Sequence, residues 1–435
     1  MEELGNCNNS LRRLLGNSDR LGPMRRRRGS TVPKLFEQFR SQAARFHTAA
    51  TKALRCQCSY IHSTILVVSN DLREGEELSS RAIVRHTNRL NVYFPLKAHT
   101  WSESQSEAGW NESWRAAEVE MAINETSCAS RTLLSPSICG TSTTTSRTIS
   151  VPENRSVSFA EAADVKESQR LNVPEGVSEI VDLCEALKTS AQQDSYIGFL
   201  RETDGRFHVM RDTRDSVVPV AVTRQLVSLG ALLSGSSPKI TLTRRIRLSI
   251  ALSMAKMLLQ LHSSPWLKDM WSKDDIYFFQ NQDGYLQTAC PLVVSHFNPK
   301  DSSRQTSSAL GRSLHIDASR NSKSAMLSLG ILVLELWFNQ AIEAVPFRDL
   351  FLGPDGQENE YTRFNQAQKW QEQALEEGGI DLDNVTRRCV YCAFGAASQD
   401  LNDEEFQRAV CDEVVQGLEK LLAPYEDIRV KPPYR

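Results

Sequence analysis

Cys56, Cys58 and His62 stand in the run CQCSYIH and offer two thiols and an imidazole, a donor set that suits zinc. Whether they can meet depends on the backbone. On an α-helix Cys58 and His62 share a face, but Cys56 points about 200° away from Cys58 at ~100° per residue. Cys58 and His62 also border an apolar stripe, where a thiol behaves as a small hydrophobe, so the helical reading favours core packing over ligation. Cys389 and Cys392 form a single C-x-x-C one helical turn apart. With no second pair and no preceding strand of the thioredoxin kind, they read as structural. A third group lies in LHSSPWLKDMWSKDDIYFF, residues 261–279. There Asp269, Asp274 and Asp275 could cap a turn, accept a proton or bind a divalent ion.

The elements that must position these groups come from a chain of 435 residues, 40% hydrophobic and 24% charged, enough for two domains with sizeable cores. The net charge of −2 demands neither nucleic acid nor membrane, and no specific nucleic acid is expected as a partner. Charge is uneven, though: residues 1–60 carry twelve Lys/Arg against four Asp/Glu, and residues 353–420 carry six against fifteen. The run Arg25–Arg28 reads as a solvated loop, with nuclear import or an anionic membrane surface as the other readings. Ten cysteines at irregular spacing, with no apolar leader at the N-terminus, predict reduced thiols and a cytoplasmic protein, the nucleus being the alternative.

Apolar residues recur at helical steps from Phe36 through Phe39, Ala43, Phe46, Ala50, Ala53, Cys58 and Ile61 to Ile65. That predicts one long amphipathic helix inside a helical region 1–75. A connecting segment follows at 76–126, with strand character in LNVYFPLKAHTW and a proline that suits a sheet edge. Residues 127–152, more than half Ser and Thr over much of their length, read as a linker. From 153 to 424 the pattern is α+β: a short strand, a helix over 174–187, and a hairpin turning at Asp204-Gly205. A short helix, SLGALLSG, and a largely apolar helix over 242–262 come next, then a hairpin turning at Asp283-Gly284. Another apolar helix, AMLSLGILVLELWF, and two C-terminal helices precede a tail at 425–435. Trp266, Trp271 and Trp337 are expected in the core, each with its indole N–H bonded internally.

This order of elements resembles the eukaryotic protein-kinase fold. The hairpin YIGFL…RFHVM with SLGALLSG is similar to the hinge-side hairpin and first helix of the large lobe. RIRLSIALSMAKMLLQLH resembles the helix that ends in Leu-His before a kinase catalytic loop, and AMLSLGILVLELWF resembles the central large-lobe helix. The resemblance implies a two-lobed, degenerate kinase-like domain after an α-helical N-terminal region. Kinases carry H-R-D-L-K-x-x-N-I beginning six residues after that histidine, where the Asp takes the substrate proton and the Asn holds a metal ion. Counted from His262, the His and Arg places hold Lys268 and Asp269, and the base position holds Met270. The Lys position holds Ser272, the Asn position holds Asp275, and Ile276 matches. Ala289-Cys290-Pro291-Leu292 stands in the region of D-F-G, and Ala325 replaces the central helix's usual Asp. No G-x-G-x-x-G loop or V-A-I-K pattern precedes, Lys166 lying in a polar stretch.

LLQLHSSPWLKDMWSKDDIYF, PLVVSHF, LSLGILVLELWF and FQRAVCDEVVQGLEKLL together look like an uncharacterised fungal domain family with a degenerate kinase-like lobe. Members often carry an N-terminal bundle of the HeLo, or prion-inhibition-and-propagation, type. FRSQAARFHTAATKALRCQCSYIHSTILV resembles the segment in which that family shows a C-x-C…H pattern. These likenesses imply a non-catalytic, pseudokinase-like interaction or signalling module with protein partners, in fungal self/non-self or defence signalling. On that reading no cofactor is expected, neither ATP nor magnesium. The alternative is an atypical metal-dependent phosphotransferase using Asp269 or Asp275.

Overall fold

The computed structural model describes residues 32–56, 62–68, 89–95, 110–111, 114–123, 178–189, 196–203, 205–211, 225–235, 241–280, 286–288, 290–297 and 314–426. Over these the protein is α+β, with one antiparallel sheet.

The N-terminal helix α1 spans Val32–Ala53. Its stripe of Phe36, Phe39, Ala43, Phe46, Ala50 and Ala53 is buried, as helical spacing requires. The helix does not continue to Ile65 as expected. After Leu54–Cys56 the chain leaves the helix, and His62–Val67 forms strand β1. Thr64, Ile65 and Val67 are β-branched, and the extended backbone suits their χ1 preference better than a helix.

The other strands are β2 (Arg89–Pro95), β3 (Trp110–Asn111), β4 (Trp114–Ile123), β5 (Tyr196–Glu202), β6 (Gly205–Arg211), β7 (Gln225–Ser228), β8 (Ile276–Gln280) and β9 (Leu292–Phe297). They lie in the order β3-β7-β8-β9-β1-β2-β4-β6-β5. Thus β1 is interior, pairing with β9 from His62↔Phe297 to Val67↔Leu292 and with β2 at Ile65↔Tyr93. Strand β2 is interior too, between β1 and β4. Its proline therefore marks the strand's last residue, opposite Trp114, and not a sheet edge. The hairpin β5–β6 closes at Glu202↔Gly205 as expected. The second expected hairpin is only partial. Gln280 bridges Leu286 around residues 281–285, while β8 meets β9 at Ile276↔Val293 and Tyr277↔Leu292. The helix expected from 174 starts later. Ser178–Ile180 runs alongside Phe199, and α2 spans Leu183–Thr189 behind an Asp182 carboxylate that accepts from the Cys184 amide at 2.9 Å.

The remaining helices are α3 (Leu229–Leu233), α4 (Arg244–Leu261), α5 (Leu314–Phe338), α6 (Thr362–Gln371), α7 (Ala374–Tyr391), α8 (Glu404–Val410) and α9 (Gln416–Glu426). Thr243 caps α4, accepting from the Ile246 amide, and the helix is buried on most sides. It packs against α5, α1 and α9, so the two apolar helices lie side by side. Gly330 lets α5 approach α7: a Cβ there would stand 3.0 Å from both Cys389 Cβ and Val390 Cγ2. One hydrophobic core runs from Phe36 on α1, through Val92, Val119 and Val209 of the sheet, to Leu422 on α9. The opposite face of the sheet carries a smaller cluster of Ile65, Leu226, Phe279 and Leu292. Among the described residues no helix is long and apolar enough to cross a membrane.

The Ser/Thr-rich stretch 127–152, Arg25–Arg28, Cys58, Lys166 and the strand expected near residue 155 lie outside the described residues.

Candidate functional site

Two places gather the residues that the sequence singled out: the loop from α4 to β8, and the junction of α1, β1 and α2. The loop begins where α4 stops. His262 caps the helix, its backbone N–H donating to Leu258, and Ser263 takes a left-handed φ of 57° that turns the chain. From there the side chains divide. His262, Trp266, Leu267 and Trp271 are buried, whereas Lys268, Asp269 and Met270 face solvent, Met270 at 62% exposure.

The buried side of the loop is covered by α1. Arg40 Nη1 lies 3.0 Å from His262 Nδ1 and also close to Nε2, donating to whichever ring nitrogen is unprotonated, and it donates to Asn402 Oδ1 at 3.2 Å. Trp266 Nε1 donates to the Ala43 carbonyl at 2.7 Å. The Phe46 ring stacks on Trp266, and His47 meets the same indole edge-on with centroids 5.3 Å apart. His47 Nε2 is 2.9 Å from Ser295 Oγ on β9. Trp271 departs from expectation: it is buried, yet its Nε1 has no hydrogen-bond partner among the described residues.

Asp275 is occupied by its own turn. Ser272 and Asp275 form a capping box around a single turn of 3₁₀-helix, Lys273–Asp275. Asp275 Oδ2 accepts from the Ser272 amide at 3.0 Å and from Ser272 Oγ at 3.2 Å, while Oδ1 accepts from Lys268 Nζ at 2.6 Å. A metal ion there would have to displace three donors. Asp269, in the Arg place of the kinase motif, is exposed, and Cys290 is half-buried.

His262 is held neutral. Burial, with help from the Arg40 guanidinium, pushes its pKa from the ordinary 6.5 down to about 2. Burial likewise brings Arg40 down to about 10, so the guanidinium stays charged at neutral pH. The unfolded chain therefore takes up a proton at residue 262 near pH 6.5, while the folded chain refuses it. The stability is fully present above pH 6.5 and falls as pH drops toward 2, by up to about 1.4 kcal/mol per pH unit from this residue. Urea melts at pH 7.5, 5.5 and 4.5 are expected to show a shallower decline in His262→Gln than in the native chain. Equal declines would remove the assignment.

At the second place the helical premise fails. Because α1 ends at Ala53, Cys56 is not held on the far side of a helix from His62. Cys56 Sγ lies 2.7 Å from His62 Nε2, and Cys184 Sγ joins them, all three ligand atoms lying within 4.8 Å of one another. Burial, and to a lesser extent Lys188, lowers the His62 pKa, with Asp182 opposing. Nothing in local spacing points to Cys184, a single cysteine in VDLCEAL far along the chain; only the tertiary fold brings it in.

The C-x-x-C pair behaves differently. Cys389 and Cys392 are buried, Cys389 against the α5 helix at Gly330. Burial pushes the Cys389 thiol strongly up and the Cys392 thiol up to about 11, so both stay protonated at neutral pH and are poor nucleophiles and ligands.

A family model described as "Domain of unknown function (DUF7580)" matches residues 33–425. No curated protein and no solved structure matches the chain.

Proposed function

The chain belongs to that family of unknown function, and from this premise we propose that it is a non-catalytic interaction module on a kinase-like scaffold, binding protein partners. Its setting, on the resemblance to the fungal kinase-like family, is self/non-self or defence signalling. The observation that carries the reading is the occupancy of the loop from α4 to β8. One side anchors α1 through His262 and Trp266, and Asp275, the carboxylate at the loop's Asn place, is engaged by a capping box and by Lys268. Methionine at residue 270, in the base position, has no lone pair basic enough to take a hydroxyl proton.

The alternative reading, a metal-dependent phosphotransferase, needs Asp269 or Asp275 as its acid–base or metal-binding group. A thermal melt of the full chain with ATP and Mg²⁺ separates the two. A ligand at 100 times its Kd stabilises by about 2.7 kcal/mol, a readily measured rise in melting temperature. The expected result is no shift. A magnesium-dependent rise that disappears in Asp269→Ala or Asp275→Asn would overturn the proposal in favour of the enzyme.

A further inference from the structure

Three elements converge where α1 gives way to β1. Cys56 follows the last turn of α1, His62 opens β1, and Cys184 lies in the first turn of α2. Cys184 is 6% exposed and packs in the main core, while Cys56 and His62 are half-buried. Neither cysteine is in a disulfide. Their three soft or borderline donor atoms lie within 4.8 Å of one another, with S···N at 2.7 Å.

We propose that Cys56, His62 and Cys184 form a binding site for Zn²⁺ that pins α1, β1 and α2 to one another. The donor set is chemically matched: two thiolates balance the ion's charge, and imidazole supplies a neutral third ligand. Binding breaks two S–H bonds and releases both protons to solvent, and no electrons change hands. The fit is close. With Zn–S at about 2.3 Å and Zn–N at about 2.0 Å, a tetrahedral site has an S···N edge of roughly 3.5 Å, so side-chain rotations of under about 1 Å open the pair around an ion. Three protein ligands leave one tetrahedral position for water or an added ligand. Asp182 and Lys188 are the charged neighbours of His62, and their effects on a cation oppose each other. The site would also tie down α2, a helix too short to be stable by itself. Helix α2 has only seven residues, and α1 is joined to β1 by a short segment.

The test uses the full chain, kept reduced with a phosphine and stripped of metal by a chelator, then titrated with Co²⁺ alone. The expected result is saturation at a single equivalent, with intense visible d–d bands and near-ultraviolet sulfur-to-cobalt charge transfer, bleached by added Zn²⁺. Cys56→Ser and Cys184→Ser are expected to lose the charge-transfer band. Cys411→Ser, at a half-buried thiol on another element, is expected to keep it. X-ray absorption on the zinc-loaded native chain needs no variant and should show two sulfur neighbours for each imidazole. The proposal is overturned by a native chain without the charge-transfer band or by a zinc shell of oxygen and nitrogen only. It is overturned equally by full bands in a folded Cys184→Ser protein, which would place the metal on other thiols.

Discussion

Lys273→Met is expected to lower the free energy of unfolding by about 3–5 kcal/mol, the cost of removing one partner of a buried ion pair. Lys273 Nζ lies 2.9 Å from Glu335 Oε1 and 2.6 Å from Glu343 Oε2, and the Glu335 side chain is only 1% exposed. Glu335 Oε1 also accepts from the Ile342 amide at 2.9 Å. Burial is the largest influence on Glu335 and lifts its pKa above the ordinary carboxylate value, although Lys273 draws it down. On Lys273 burial acts downward, but the Glu335 charge and the hydrogen bonds to Glu343 and Glu335 outweigh it, and its pKa is raised. Without the ammonium, Glu335 is left charged in a dry site, or neutral at the cost of a proton taken from solvent. Adding Glu335→Leu to Lys273→Met removes the stranded charge and is expected to recover most of the loss. Urea melts of the single and double variants give the coupling. A single-variant loss below about 1 kcal/mol, typical of an exposed pair, would show that water reaches the group.

Phe46→Ala is expected to cost about 3–5 kcal/mol, the range for truncating a buried aromatic ring. Phe46 is fully buried, edge-on to Phe207 of β6 at 5.9 Å and stacked on Trp266 of the loop at 6.3 Å. It therefore joins α1 to the sheet and to the loop at once. If α1 is integral to the core, the urea midpoint falls while the slope of the transition stays unchanged. A shallower slope or a separate early transition would mean that α1 comes away by itself and leaves the rest folded.

Much of the helical half was readable because its helices are apolar over most of their surface. Residues 244–261 and 325–338 read as buried helices, and the turn at Asp204-Gly205 marks its hairpin; the helix that holds 325–338 begins earlier, at Leu314, in a polar run that gives no such signal. Where polar residues line a buried face the signal failed. Helix α6 escaped notice because Thr362, Gln366 and Gln371 are buried beside only a few apolar residues, Ala367 and Trp370 among them. The apolar spacing of α1 runs on in the sequence past the helix's end at Ala53, since a tolerant helical step accommodates Ile65 as readily as the strand that holds it. That continuation conceals the thiol–imidazole group, whose third member depends on contacts between segments over a hundred residues apart. The capping box, by contrast, is written locally in Ser272-x-x-Asp275.

Because β1 lies between β2 and β9, one of its sides is completed by residues 292–297, made long after it leaves the ribosome. During synthesis that side offers an unsatisfied row of amides and carbonyls to any extended neighbour, nascent chains on the same messenger included. Native assembly must wait for the later strand. Chaperone cover during translation, and complementation between separately expressed halves, are the practical corollaries of that delay.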